Sequence, residues 1–393
     1  MVGARKYRIR LKPDTCASDL AKQRASVHRT VATAVLLVFV LLSFRYELVA
    51  RIPQLRASIY HQSYKSAKGQ TVTAPMTPKG MVLGPTELFY ALPSGPRVQG
   101  VLLFFHGCHR TGQDLFRLPE DRVVAAAALN RNLAVLSITA MDSTTRCWSG
   151  RDAAHLSRNR VVDQWIDAMK LPSSLPRIAM GASSGGSFLF SIYRTLKIRS
   201  MASYISSSGF DAKELPNSPD PRRRNSSVPP TVFVHMVRDA DTASYVHYHK
   251  DALEKAGVPT KVFGVQSHPL TEELCDQRLP EVGDRRCRLF VQTVSTDYPT
   301  LLEPETHTVL SPYDDQWKNV LKESKFDDDL RHTVGTTPVN KGEATPTATS
   351  GHSWMWEAVQ QEIETAYAQH EMTCEYHTEV LNFLMKHASI GAR

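Results

Sequence analysis

From Gln99 to Val265 the chain alternates short apolar runs with amphipathic segments, and this alternation restricts the fold more than any other feature. The runs are Gln99–Phe105 (QGVLLFF), Leu133–Thr139 (LAVLSIT), Arg177–Met180, Ala202–Ser207, Thr231–Met236 (TVFVHM) and Thr260–Val265 (TKVFGV). A strand buried on both faces reads as a continuous apolar run, whereas a half-exposed strand alternates. Between the runs, Asp121–Asn130, Arg160–Met169, Gly185–Leu196 and Ser244–Ala256 read as helices, and Asp211 to Pro230 as a polar loop. Strand and helix in this order predict an α/β fold, a mainly parallel sheet with helices on both faces. After Val265 the alternation stops. A long stretch without a clear strand follows, including the Thr-, Pro- and Gly-rich Thr333–Ser350. Two helices, Trp354–Ala368 and Thr373–Lys386, close the chain.

The N-terminal part has a different character. The net charge is +8, but eight basic and two acidic residues precede residue 30, so most of the excess lies in that arm. The remainder is nearly neutral, which argues against a nucleic-acid footprint. The arm ends at an uncharged apolar run, Val31 to Phe44 (VATAVLLVFVLLSF). It is short for a bilayer span of ~20 residues, though its flanks extend it. The long arm and the lack of a small-residue cleavage site favour an uncleaved signal-anchor over a signal peptide. The expected organisation is a cytosolic arm (1–29), a single type II transmembrane segment (30–50), a stem (51–80) and a folded domain (81–393) on the lumenal or extracellular side. In that compartment Cys108 and Cys147, and Cys275 and Cys287, are possible disulfide pairs, and Asn225-Ser226-Ser227 is a glycosylation sequon.

Gly181-Ala182-Ser183-Ser184-Gly185 matches G-x-S-x-G and lies directly between an expected strand and an expected helix. A nucleophile elbow needs that setting: a sharp turn with small neighbours projects the serine from the carboxyl end of the sheet. Ser184 is the near competitor but lacks flanking glycines in register. His106-Gly107-Cys108 ends the QGVLLFF strand, and a loop there can donate backbone N–H groups to a developing oxyanion. His106 precedes the nucleophile and is expected to order its loop. No dinucleotide fingerprint, phosphate-binding loop or zinc spacing is present, so no cofactor or metal is expected.

With these motifs the chain resembles the α/β-hydrolase superfamily, of the serine esterase type. The HGC loop with Thr111-Gly112-Gln113-Asp114 is similar to that of polyhydroxybutyrate depolymerases and feruloyl esterases. Arg146-Cys147-Trp148-Ser149 and Gly181–Gly186 look closer still to uncharacterised plant and protist hydrolases. The resemblance implies the chain order serine, acid, histidine. Ser183 is then the nucleophile, and the N–H groups of Ser184 and Cys108 (or His109) form the oxyanion hole. The acid falls in the loop after TVFVHM as Asp239, with Asp241 the alternative. The base is expected at His370, before a terminal helix for which Thr373 would be the N-cap. His268, directly after the last strand, is the alternative, and His352 is third. With His370 as base, residues 269–351 are an insertion that could cover the site. The implied activity is hydrolysis of a small-molecule, lipid or polymer ester, or a thioester. An acyltransferase using the same residues and a catalytically inactive, membrane-tethered binding protein are the alternatives. The sequence leaves the oligomeric state open.

Overall fold

A computed structural model describes residues 76–390, apart from 96, 207–227, 281, 304–307, 312–315 and 328–347. The basic arm, the apolar run Val31 to Phe44, most of the stem and Asn225 lie outside the described residues. Among the described residues no helix is long and apolar enough to cross a membrane.

Eight strands form one sheet: β1 (Lys79–Leu83), β2 (Thr86–Ala91), β3 (Gly100–Phe105), β4 (Leu133–Ile138), β5 (Arg177–Ala182), β6 (Ile198–Tyr204), β7 (Thr231–Met236) and β8 (Thr260–Val265). Their order is β1-β2-β4-β3-β5-β6-β7-β8. β1 and β2 pair antiparallel, as do β2 and β4, and every other pair is parallel. β3, β4, β5 and β7 are buried along their whole length, which explains their unbroken apolar runs. The hairpin β1–β2 begins inside the expected stem. β1 is largely exposed and β2 is buried at alternate positions, so neither reads as an apolar run.

The helices are α1 (Asp114–Arg117), α2 (Pro119–Asn130), α3 (Gly150–Arg158), α4 (Val161–Ala168), α5 (Ser184–Ile192), α6 (Ala240–Lys255), α7 (Glu272–Arg278), α8 (Asp284–Asp297), α9 (Gln316–Lys322), α10 (Ala348–Tyr367) and α11 (His377–His387). Strand side chains alternate between two cores. Val101, Leu103 and Phe105 of β3 face α4, α5 and α6, through residues such as Trp165, Phe188 and Val246. Leu102 and Phe104 face α1, α2 and α11, through Phe116, Val124 and Leu381. α11 starts at His377 with Tyr376 as its N-cap, so Thr373 is not the cap expected from the sequence. The Thr373 hydroxyl is buried and donates to Glu120 instead.

The stretch after β8 folds around a third core. Leu270, Phe290, Trp317 and Phe326 pack with Met355, Val359 and Ile363 of α10. Three helices, α7, α8 and α9, occupy this segment, in which the sequence showed no clear strand. A buried ion pair ties this subdomain to α2: Arg278 of α7 pairs with Glu120. Removing one partner of a buried ion pair leaves the other charge uncompensated and costs about 3–5 kcal/mol. Arg278→Ala is therefore expected to lower the Tm by roughly 5–10 °C in a thermal melt. An unchanged Tm would mean that the Glu120 charge is met by other groups.

Candidate active site

β5 runs into α5 through Ser183, whose backbone sits at φ 50° and ψ −115°. That region is sparsely populated for a residue with a side chain, and it persists only where neighbours enforce it. Here the neighbours are backbones. A Cβ at Gly181 would run into the Gly185 carbonyl, and one at Gly185 into the Phe105 carbonyl. The glycines let β3, β5 and α5 meet without side chains between them. The Ser183 N–H bonds the Tyr204 carbonyl on β6 at 2.9 Å.

The Ser183 hydroxyl lies 2.9 Å from Nε2 of His370, and Nδ1 of His370 lies 2.6 Å from an Asp239 carboxylate oxygen. Asp239 follows β7 and caps α6, accepting from the Thr242 N–H at 3.1 Å. Burial raises the Asp239 carboxyl, but hydrogen bonds from Thr242 and His370 outweigh it and hold the group below its ordinary range. His370 is on a turn after α10, at φ 41°. Its imidazole is partly exposed, while Asp239 is buried beneath it. Ser183, His370 and Asp239 thus stand in one hydrogen-bonded line, 187 and 131 residues apart along the chain.

The alternatives stand elsewhere. Asp241 is exposed in the first turn of α6. His268 is buried, its Nδ1 is 3.1 Å from the Pro269 carbonyl, and burial pushes its pKa down to about 4. It has turned into the protein and does not reach Ser183. The side chain of His352 is outside the described residues.

The expected oxyanion loop is held by its surroundings. His106 is buried, and burial lowers its pKa to about 4, so it is neutral. The neutral ring donates from Nδ1 to the Gly107 carbonyl (2.6 Å) and accepts at Nε2 from the Ala140 N–H (3.1 Å). The Trp148 indole N–H donates to the His106 carbonyl at 2.9 Å, and a disulfide joins Cys108 to Cys147. Ser184 is the first residue of α5, and the N–H groups of a helix's first turn have no intrahelical partner. A second disulfide joins Cys275 to Cys287, and Cys374 is a buried free thiol.

Two cavities meet at Ser183. One, of about 270 Å³, has Cys108, Arg110, Asp121, His370 and Glu371 among its lining residues. The other, of about 470 Å³ and more open, is lined by Trp148, Ser184, Ser187, Phe188 and their neighbours. No described residue of 269–351 lines either cavity, so the expected cover is not formed by them. Their apolar side chains point into the third core instead. Of the lining residues, Arg110 and Asp121 carried no motif signal in the sequence, whereas Trp148 stood in the Arg146–Ser149 string. Among the described residues no cluster of three or more His, Cys, Asp or Glu could hold a metal.

Strand order, a strained serine between β5 and α5, and a histidine supplied from beyond β8 together define the α/β-hydrolase fold. No family model and no curated protein matches the chain. Similar solved structures include the Francisella virulence factor BioJ, with 14% identity, a TM-score of 0.36, and coverage of 54% of this chain and 81% of that one. An arylesterase gives 14% identity, a TM-score of 0.35, and coverage of 55% and 88%. Esterase Est2 of the planctomycete Thermogutta terrifontis gives 12% identity, a TM-score of 0.36, and coverage of 48% and 81%. These superpositions are loose, and the fold assignment rests on the strand order and the turn.

Asp121 gives the cavity a distinctive titration. Burial raises its carboxyl from 3.8 to about 8. Between those values the unfolded chain gives up a proton that the folded chain keeps, so this group's stability contribution falls as pH rises and levels off above about 8. Asparagine has no such loss. The Tm of Asp121→Asn relative to wild type is therefore expected to rise from pH 3.8 to about 8 and then stay flat. Parallel Tm profiles across that range would show that Asp121 is not held protonated.

Proposed function

We propose that this chain is a serine hydrolase of carboxylic esters or thioesters, working through an acyl-enzyme. The observation that carries the reading is the unbroken line from the Ser183 hydroxyl through His370 to Asp239 at a strained strand-to-helix turn. A hydroxyl is a weak nucleophile until a base takes its proton. Ser183 Oγ attacks the acyl carbon while its proton passes to His370 Nε2. Asp239 accepts from His370 Nδ1–H, fixing the tautomer and stabilising the imidazolium. The carbonyl oxygen becomes an oxyanion held by the N–H groups of Cys108 and Ser184. The bond to the leaving oxygen then breaks, and that oxygen takes the proton from Nε2. Water repeats the sequence on the acyl-enzyme, releasing the acid and restoring Ser183. An acyltransferase would differ only in using an alcohol in place of water at the second step.

A fluorophosphonate probe tests the reading on the purified full chain. Stoichiometric labelling is expected for the wild type and none for Ser183→Ala. His370→Ala should lower esterase kcat by ~10⁴-fold, since members of such a triad act as a unit. His268→Ala should have little effect beyond folding. A folded wild type that takes no label would favour the alternative of an inactive, tethered binding protein.

We also propose the membrane-anchored, type II arrangement with the hydrolase domain in an oxidising compartment. The two disulfides support it, because such bonds persist outside the cytosol. Expressed in eukaryotic cells, the chain should resist alkaline carbonate extraction and lose mass on glycosidase treatment, with the mass shift absent in Asn225→Gln. Release by carbonate, or an unglycosylated wild type, would count against this topology.

A further inference from the structure

The two cavities are not equivalent with respect to the proton that the reaction moves. His370 lines the smaller cavity and not the larger one, whereas Ser183 lines both. In acyl-enzyme formation the base must return its proton to the leaving oxygen, so the leaving group lies on the side of His370. The acyl substituent then extends the other way, past Ser184 into the open groove beside Trp148 and Phe188. The groove's openness sets no tight limit on acyl length. The leaving alcohol, in contrast, enters a cavity of about 270 Å³, just under the size that takes drug-sized ligands.

The polar wall of that cavity has a mixed character. Arg110 carries five N–H donors; one bonds Glu371 at 3.4 Å, and a second nitrogen lies 3.7 Å from a Glu357 carboxylate oxygen. Glu371 supplies carboxylate acceptors, engaged by the Gln361 amide at 3.3 Å and the Met372 N–H at 2.8 Å. Asp121, 6% exposed, accepts from the Gln361 amide at 2.8 Å through one oxygen. Its raised pKa keeps a proton on the carboxyl at neutral pH, so it can donate as well as accept. The charges on this wall already face partners in the protein, Arg110 with Glu371 and Asp114 with Arg117, so a charged alcohol finds no uncompensated opposite charge here. A hydroxyl both donates and accepts and finds a complement in each of these groups.

We propose that this cavity binds the leaving group of the substrate and selects a small, neutral, polyhydroxylated alcohol, with Asp121 and Arg110 as specificity residues. The inference rests on the esterase reading above and names the substrate class for that site. The preferred substrates are then carboxylic esters of a short polyol, and the variable part of the substrate is the acyl chain.

The test compares three butyrate esters that share one acyl group: glyceryl monobutyrate, ethyl butyrate and butyrylcholine. The full chain is used, with active sites counted by fluorophosphonate labelling and p-nitrophenyl butyrate as a general ester. For the wild type, kcat/KM for the glyceryl ester should exceed that for each of the other two by about 10-fold or more, the effect of one or two added hydrogen bonds. Asp121→Leu should lower that ratio toward unity, chiefly through KM for the glyceryl ester. Asp121→Asn, which still donates and accepts, should retain most of it, and this rescue separates recognition from a general loss of fold. Equal or reversed preference in a wild type that hydrolyses p-nitrophenyl butyrate would overturn the alcohol assignment while leaving the esterase reading intact. A ratio unmoved in labelled Asp121→Leu would overturn the role of Asp121. A wild type that hydrolyses none of the four esters and takes no label would overturn both readings.

Discussion

One buried carboxylate joins the parts of this molecule that meet at the candidate site. Glu120, at the start of α2, is fully inaccessible to solvent. One of its oxygens meets Arg278 from the subdomain after β8, and the other accepts from the Thr373 hydroxyl at 3.1 Å and the Cys374 N–H at 2.7 Å. Burial alone would raise this carboxyl, but Arg278 and the two donors reverse the effect and keep it ionised. Glu362 nearby is driven the other way, by burial first and by the neighbouring Glu120 charge second. The cluster thus pushes the two carboxyls in opposite directions, Glu120 down and Glu362 up. Thr373 and Cys374 lie just beyond His370, so the same carboxylate anchors the turn that carries the imidazole. A hydrophobic contact could fill this space but would not fix the direction of the turn.

The turn itself is strained, with Ala368 at φ 64° and His370 at φ 41°. Two backbone bonds hold it against the sheet: Arg238 N–H to the Ala368 carbonyl at 3.1 Å, and His268 N–H to the Ala366 carbonyl at 3.0 Å. Arg238 is next to Asp239, so the loop that orients the imidazole through its carboxylate also grips the backbone two residues before it. His268 takes part as a peptide group while its ring is buried. The long detour between β8 and His370 therefore ends where the strand it left begins to pay out, and chain distance is converted into a local contact.

Much of this was legible in the sequence, for a physical reason. Strands buried on both faces are mostly apolar, so β3, β4, β5 and β7 read as apolar runs, and the less buried β6 and β8 keep enough of the pattern to be read as well. The turn at Ser183 needs glycines where backbones collide, and Gly181 and Gly185 stand there. The hairpin β1–β2 left no such mark, because exposure at β1 removes the apolar signal. The helices after β8 were missed because they serve a separate core, whose partner α10 lies many residues later. His370 was preferred to His268 for its place just before the terminal helix, and the packing shows the physical difference: the His268 ring is buried against the Pro269 carbonyl, while His370 reaches Ser183. The cavity residues Arg110 and Asp121 went unread, since nothing in their spacing reveals that separate elements converge on one cavity.

The two loops flanking Ser183 raise a different problem of order. The loop after β3 and the segment Thr145–Ser149 lie beyond the ends of the strands, where the sheet's hydrogen bonds no longer act. Three kinds of contact replace them: the Cys108–Cys147 disulfide, the Trp148 indole bond to the His106 carbonyl, and the 2.7 Å bond from His109 N–H to the Thr145 carbonyl. Trp148 also stacks on Phe188 at 4.6 Å and meets Phe105 edge-on at 5.1 Å, so its ring is rooted in the core that α5 shares with β3. A preorganised pair of N–H donors is useful only if it does not relax when charge develops between them. One of the two donors in the proposed oxyanion hole belongs to a helix start fixed by the sheet. The other belongs to Cys108, whose own side chain is the covalent link, so rigidity at that position comes from cross-linking two loops and not from secondary structure.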